Sequence, residues 1–173
     1  MKKFLTAMIS VVLLVCMLGC AFASTWDYSF SSLKRLVMDS TSNNVIEYTT
    51  SSGVDHVVID FSKGSSLSVW AEVFYDGNSN RIIKYILYTD VSLAIGSGER
   101  TKAFETINTW NLEKRYPKAV LYEDDTFLAD GDLMGTADLT TDMVDEFIGN
   151  MLFGSKTFLS FLNESGFTQF HEY

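Results

Sequence analysis

Proline occurs once in these 173 residues, at Pro117, so a proline-rich linker is excluded and no break in composition divides the chain. Cysteine occurs twice, at Cys16 and Cys20, both near the start. Histidine also occurs only twice, and His56 and His171 lie too far apart in sequence to read as a paired metal motif. Cations are scarce: 13 Lys and Arg stand against 22 Asp and Glu, for a net charge of −9. Such a surface repels phosphate backbones and anionic lipid heads, which argues against nucleic-acid binding. Cationic ligands, calcium or basic protein segments remain electrostatically allowed, and the bland alternative is that the acids keep an exported domain soluble.

The long apolar run that is present lies at the start. Met1-Lys2-Lys3, the stretch from Phe4 to Leu18 and Ala21-Phe22-Ala23 supply the positive start, short apolar helix and small-residue cleavage site of a secretory signal peptide. Cleavage after Ala23 is expected, leaving Ser24 first and sending the product to the periplasm or the medium. Two alternatives are an uncleaved anchor, since Phe4 to Ala23 approaches the ~20 residues a span requires, and lipidation at Cys20 within Met17-Leu18-Gly19-Cys20. Cleavage removes both cysteines, so disulfides cannot stabilise the product. It also removes Lys2 and Lys3, leaving 11 basic residues against 22 acidic ones, a net −11. Residues 24–173 then form one domain, large enough to bury roughly 68–70% of its extended surface. No later stretch is apolar enough to span a membrane.

Periodicity along this domain changes type several times. Phe30, Leu33, Leu36 and Val37 recur at helical spacing until the turn formers Asp39-Ser40-Thr41-Ser42-Asn43-Asn44. Strand patterns follow over 45–50, 54–61, 67–75 and 81–89, separated by Ser51-Ser52-Gly53, Lys63-Gly64-Ser65-Ser66 and Asp76-Gly77-Asn78-Ser79-Asn80. Connections this short join antiparallel neighbours. A second helix over 99–116 ends before Pro117, two strands over 118–122 and 127–134 flank Glu123-Asp124-Asp125-Thr126, and Thr140 caps a long helix that stops near Gly166. The order αββββαββα predicts an α+β domain with helices covering an antiparallel sheet.

On the third strand Leu67, Val69, Ala71, Val73 and Tyr75 share one face, and Ser68, Trp70, Glu72 and Phe74 share the other. The fourth strand adds Ile83, Tyr85 and Leu87, or Ile82, Ile86 and Tyr88, to that second face according to register. Either a helix or the N-terminal segment covers this face, or a partner or a second copy does. Asn108 and Asn111 share a helix face around Trp110, where their amides can hold the sheet backbone or a ligand. Trp70, Phe74, Asn108, Trp110 and Asn111 are therefore the candidate contacts. No catalytic, cofactor-binding or metal-ligating set emerges: there is no Gly-x-Ser-x-Gly elbow, and Gly96-Ser97-Gly98-Glu99-Arg100-Thr101-Lys102 lacks phosphate-loop spacing. Aligning Gly131 with the glycine of a calcium loop puts Ala137 where the bidentate glutamate belongs.

Ile107-Asn108-Thr109-Trp110-Asn111, then Pro117-Lys118-Ala119-Val120-Leu121-Tyr122, an acidic hairpin, Asp132-Leu133 and a threonine-initiated final helix resemble the YbjN family of bacterial domains, described as sensory transduction regulators. The resemblance is best over about 103–162. It implies a fold similar to that of type III secretion chaperones, small α+β proteins that bind other polypeptides, and it brings no catalytic residues. An exported, non-enzymatic binding or chaperone-like module is the expected function. The alternative is a small secreted hydrolase using the hairpin carboxylates Glu123, Asp124, Asp125, Asp130 and Asp132.

Overall fold

The computed structural model describes residues 24–62, 65–96, 98–136 and 138–167; the segment 1–23 expected to be a signal peptide, both cysteines and His171 lie outside the described residues. Helix α1 (Phe30–Ser40) starts at Ser29, whose hydroxyl accepts from the Ser32 amide. Strands β1 (Asn44–Thr49), β2 (Asp55–Ser62), β3 (Ser65–Tyr75) and β4 (Ile82–Ala94) then form the expected meander. Helix α2 (Arg100–Glu113) leads to the hairpin of β5 (Lys118–Leu121) and β6 (Thr126–Gly135), and α3 (Thr141–Glu164) closes the fold.

The six strands lie in the order β1-β2-β3-β4-β6-β5, every neighbouring pair antiparallel. Because β6 rather than β5 pairs with β4, the returning hairpin enters with its second strand inward and leaves the four-residue β5 at the edge. β4 runs five residues past Thr89, since Val91 and Leu93 continue the alternation into the core and pair with Ala129 and Phe127. Helix α2 stops earlier than its pattern suggests, so that Lys114 and Arg115 lie beyond its last turn. The cation expected there comes instead from β5: Lys118 Nζ donates to the carbonyls of Asn111 and Lys114.

Helices α1 and α3 pack together, with α1 on β2, α3 on β6 and α2 on β5, so they share one face of the sheet. Between them and the sheet lie Leu33, Val37, Val57, Ile59, Leu67, Val69, Leu87, Val91, Phe127, Ile148, Met151 and Phe158, all essentially fully buried. Thr140 caps α3 by accepting from the Met143 amide, and Leu139 and Val144 bracket that cap as buried residues. At the other end Gly166, at φ +85°, lets its own amide reach the Asn163 carbonyl and the Phe167 amide reach that of Leu162. The N-terminal segment joins the same face: Thr25 bridges to Thr140, the Trp26 amide donates to the Leu139 carbonyl, and the Trp26 side chain is buried. Its described residues therefore do not cover the opposite face of the sheet, as one reading of the sequence allowed, and no described helix does so either.

Candidate functional site

The uncovered face is ordered by register. Tyr48 pairs with His56, Trp70 with Tyr88 and Tyr88 with Asp132, while the β2-β3 register sets His56 beside Trp70. One row therefore crosses five strands as Tyr48, His56, Trp70, Tyr88 and Asp132. Its rings touch in series: Tyr48 to His56 at 6.1 Å between centroids, His56 to Trp70 at 5.2 Å, and Trp70 to Tyr88 at 5.5 Å with the last two stacked at 15°. The contact changes character along the row, from edge-to-face at Tyr48–His56 (73°) through tilted at His56–Trp70 (36°) to stacked at Trp70–Tyr88. At the β6 end the series stops, and the next position is the carboxylate of Asp132.

Two parallel rows flank this ladder. One carries Val58, Ser68, Asp90, Asp130 and Lys118; the other carries Glu72, Ile86 and Met134. Ile86 is buried between its neighbours, whereas Met134 is 62% exposed. Phe74, 40% exposed, lies opposite Lys84, whose ammonium sits 5.4 Å from its ring centroid. Trp70 and Phe74 thus share the open face, as the alternation predicts, and of the two sets proposed for β4 it is Ile86 and Tyr88 that join them. Tyr85 and Leu87 belong to the core, and Ile82 pairs with Tyr75 past a register shift after Phe74.

Acids outnumber cations on this face, with Glu72, Asp90, Asp130 and Asp132 against Lys84 and Lys118. Burial pushes the Asp90 carboxyl up to about 6, with His56 and the Ser68 hydroxyl drawing it down and Asp130 adding to the rise. Burial likewise raises Asp130, and Asp132 reinforces it. Lys118 is the cross-strand partner of Asp130, yet its ammonium is occupied by the α2 carbonyls. Among the described residues the ion pairs are Lys34–Glu47 and Arg100–Asp125, so none of Glu72, Asp90, Asp130 and Asp132 is held in an ion pair, although His56 is close enough to act on Asp90. Glu72 receives a long bond from the Tyr88 hydroxyl at 3.4 Å.

The α2 candidates separate. Asn111 clamps the helix to β5, its Nδ2 donating to the Ala119 carbonyl at 2.8 Å and its Oδ1 accepting from the Ala119 amide at 2.9 Å. Trp110 is 1% exposed, donates from Nε1 to the Pro117 carbonyl and packs on Phe158 and Phe161. Trp110 is thus spent on the core, while Asn111, partly buried, is engaged with the β5 edge strand. Asn108 is exposed, on a helix that packs on β5 on the side of the sheet opposite Trp70 and Phe74. Sequence reasoning offered Tyr88 as one of two register alternatives and missed Tyr48, Asp90 and the place of His56 in the row, since only cross-strand register brings them together.

The acidic hairpin does not act as a unit. Asp124 accepts from the Thr126 amide within the turn, and Asp125 pairs with Arg100, which also donates to the carbonyls of Tyr122 and Glu123. Asp130 and Asp132 lie on the open face instead. Gly131 between them is required by packing, because a Cβ there would overlap the Tyr116 hydroxyl. No group of three metal-ligating side chains occurs among the described residues. The cavity of about 290 Å³ between α1 and the β3-β4 hairpin is lined by Tyr28, Leu33, Val54, Val73 and Tyr85 among others, and it contains neither Asp130 nor Asp132.

Residues 40–164 match the model of the YbjN family, whose description is putative bacterial sensory transduction regulator. No curated protein matches the chain at a significant level.

Proposed function

Because the chain belongs to the YbjN family, we propose that it is an exported, non-enzymatic binding domain with a regulatory or chaperone-like role, and that its open sheet face receives a segment of another polypeptide. The observation that carries this reading is the ladder Tyr48–His56–Trp70–Tyr88, exposed at Tyr48 and half-buried beyond it, on a face that no described helix or N-terminal residue covers. Amphipathic aromatics half in solvent are the residues that dominate protein interfaces. A hydrolase at the hairpin gains no support, since Asp124 and Asp125 are engaged in the turn and Asp130 and Asp132 stand on an open sheet rather than in a cleft.

The export part of this reading is supported by the sequence of residues 1–23. Ser24 and Trp26 are already built into the fold, with the Ser24 carbonyl accepting from the Thr141 amide at 3.0 Å, and a cut after Ala23 leaves those contacts whole. Affinity purification of the tagged mature protein from its own compartment tests the binding role, with a Trp70→Ser, Tyr88→Ser variant alongside. The expected result is a polypeptide, identified by mass spectrometry, that rebinds the purified wild type and not the variant, while both melt cooperatively. Equal recovery by the two proteins, or recovery of no polypeptide that rebinds, contradicts it.

A further inference from the structure

The β6 end of the ladder is unlike its other end. Trp70 covers one face of Tyr88, and the 15° stacking turns the other face toward β6, where no ring stands and Asp132 is the cross-strand partner. Asp130 lies two residues along the same strand on the same face, opposite Asp90. Glu72 borders Tyr88 on the β3 side. An aromatic face beside Asp130 and Asp132, neither of them in an ion pair among the described residues, is an incomplete arrangement. Like charges directly opposite one another across a strand pair destabilise it, and the one lysine in register to neutralise Asp130 is turned to the α2 carbonyls.

We infer that the outer face of Tyr88, flanked by Asp130 and Asp132, seats an arginine side chain presented by the bound polypeptide segment. Resting on the polypeptide-binding reading, the proposal names the chemistry of the partner. A guanidinium is planar, so it can lie on the Tyr88 ring while its edge donates in pairs to a carboxylate. Lysine offers a point charge without that fork, and so fits this seat less well. A second copy of the same face is a poor occupant, because it would set one group of uncompensated carboxylates against another. The net charge of −9 also favours encounter with a basic segment.

Calorimetric titration of the purified protein with an acetylated, amidated tetra-arginine peptide tests this, with tetra-lysine, a glycine-serine tetrapeptide and calcium chloride as the other arms. Trp26 and Trp110 are buried, so a change in Trp70 fluorescence locates binding to this face. The expected result is saturable tetra-arginine binding that perturbs Trp70, is several-fold tighter than tetra-lysine, and weakens with salt. Affinity falls at least tenfold in Asp130→Asn, Asp132→Asn and in Tyr88→Leu, and stays within twofold of wild type in Tyr88→Phe, which keeps the ring. Thermal melts confirm that each variant is folded. Equal affinity in wild type and the double asparagine variant overturns the inference, as does preference for lysine or for calcium. If a neutral polypeptide binds at Trp70 while arginine has no effect, the inference fails and the binding role stands. When no polypeptide binds this face at all, both fail together.

Discussion

Asp90 shows how a single side chain records the character of the open face. Its carboxyl, raised to about 6 chiefly by burial, holds its proton more tightly in the folded chain than in the unfolded one. Between the unfolded value near 4 and the folded value near 6 the native state therefore binds more protons, so this group's contribution to stability falls as pH rises through that window. Asp90→Asn removes the charge and keeps a group able to bond Ser68. Expected is a gain on the order of 1–2 kcal/mol at pH 7.5, after allowance for partial solvent screening, that disappears below about pH 4. Denaturant melts of both proteins across pH 3.5–8 check it, and a pH-independent difference contradicts the assignment. Gly131 makes a complementary point about packing. Gly131→Ala drives a methyl into Tyr116 and is expected to cost about 1–3 kcal/mol, with Tyr116→Leu in the same chain recovering much of the loss. An additive pair of destabilisations in that double variant runs against the contact.

Helix α2 and strand β5 form one unit, and Asn111 is the joint. Replacing it by alanine leaves the Ala119 amide and carbonyl without their partners and should cost roughly 1–3 kcal/mol. Asn108→Ala, three residues earlier and exposed, is expected to change stability by less than about 0.5 kcal/mol. Thermal melts of the two variants side by side decide this, and equal effects argue against the clamp. Element order, caps and the Trp70–Phe74 face were legible in sequence because each depends on neighbours three to five residues away. Thr140 with Leu139 and Val144 is an example, as is Gly166. The pairing of β6 with β4 was not legible, because it depends on how α2 carries the chain across the sheet. With it went the row from Tyr48 to Asp132, since these residues come from five strands whose alignment no local pattern encodes. Trp110 looked equally able to serve core or partner, and only the Pro117 carbonyl and the rings of Phe158 and Phe161 show that it serves the core.

At the scale of the molecule, one sheet divides a helix-covered core from an acidic, aromatic face. The three helices and residues 24–28 account for one side. On the other, ring ladder and carboxylates stand together without cover from the described residues, and this asymmetry is the basis for a binding role. If the leader is removed as its sequence implies, intact-mass analysis of the protein from its native compartment will give a chain beginning at Ser24; one retaining Met1, or a lipid on Cys20, contradicts that boundary. The binding claim itself is met most directly by placing a photo-crosslinking amino acid at position 70 on the open face, and at Leu112, 88% exposed on α2, as the reference. Irradiation in the native compartment should give a discrete polypeptide adduct from position 70 that is absent from position 112. Adducts of equal yield from both positions, or none from position 70, contradict the account.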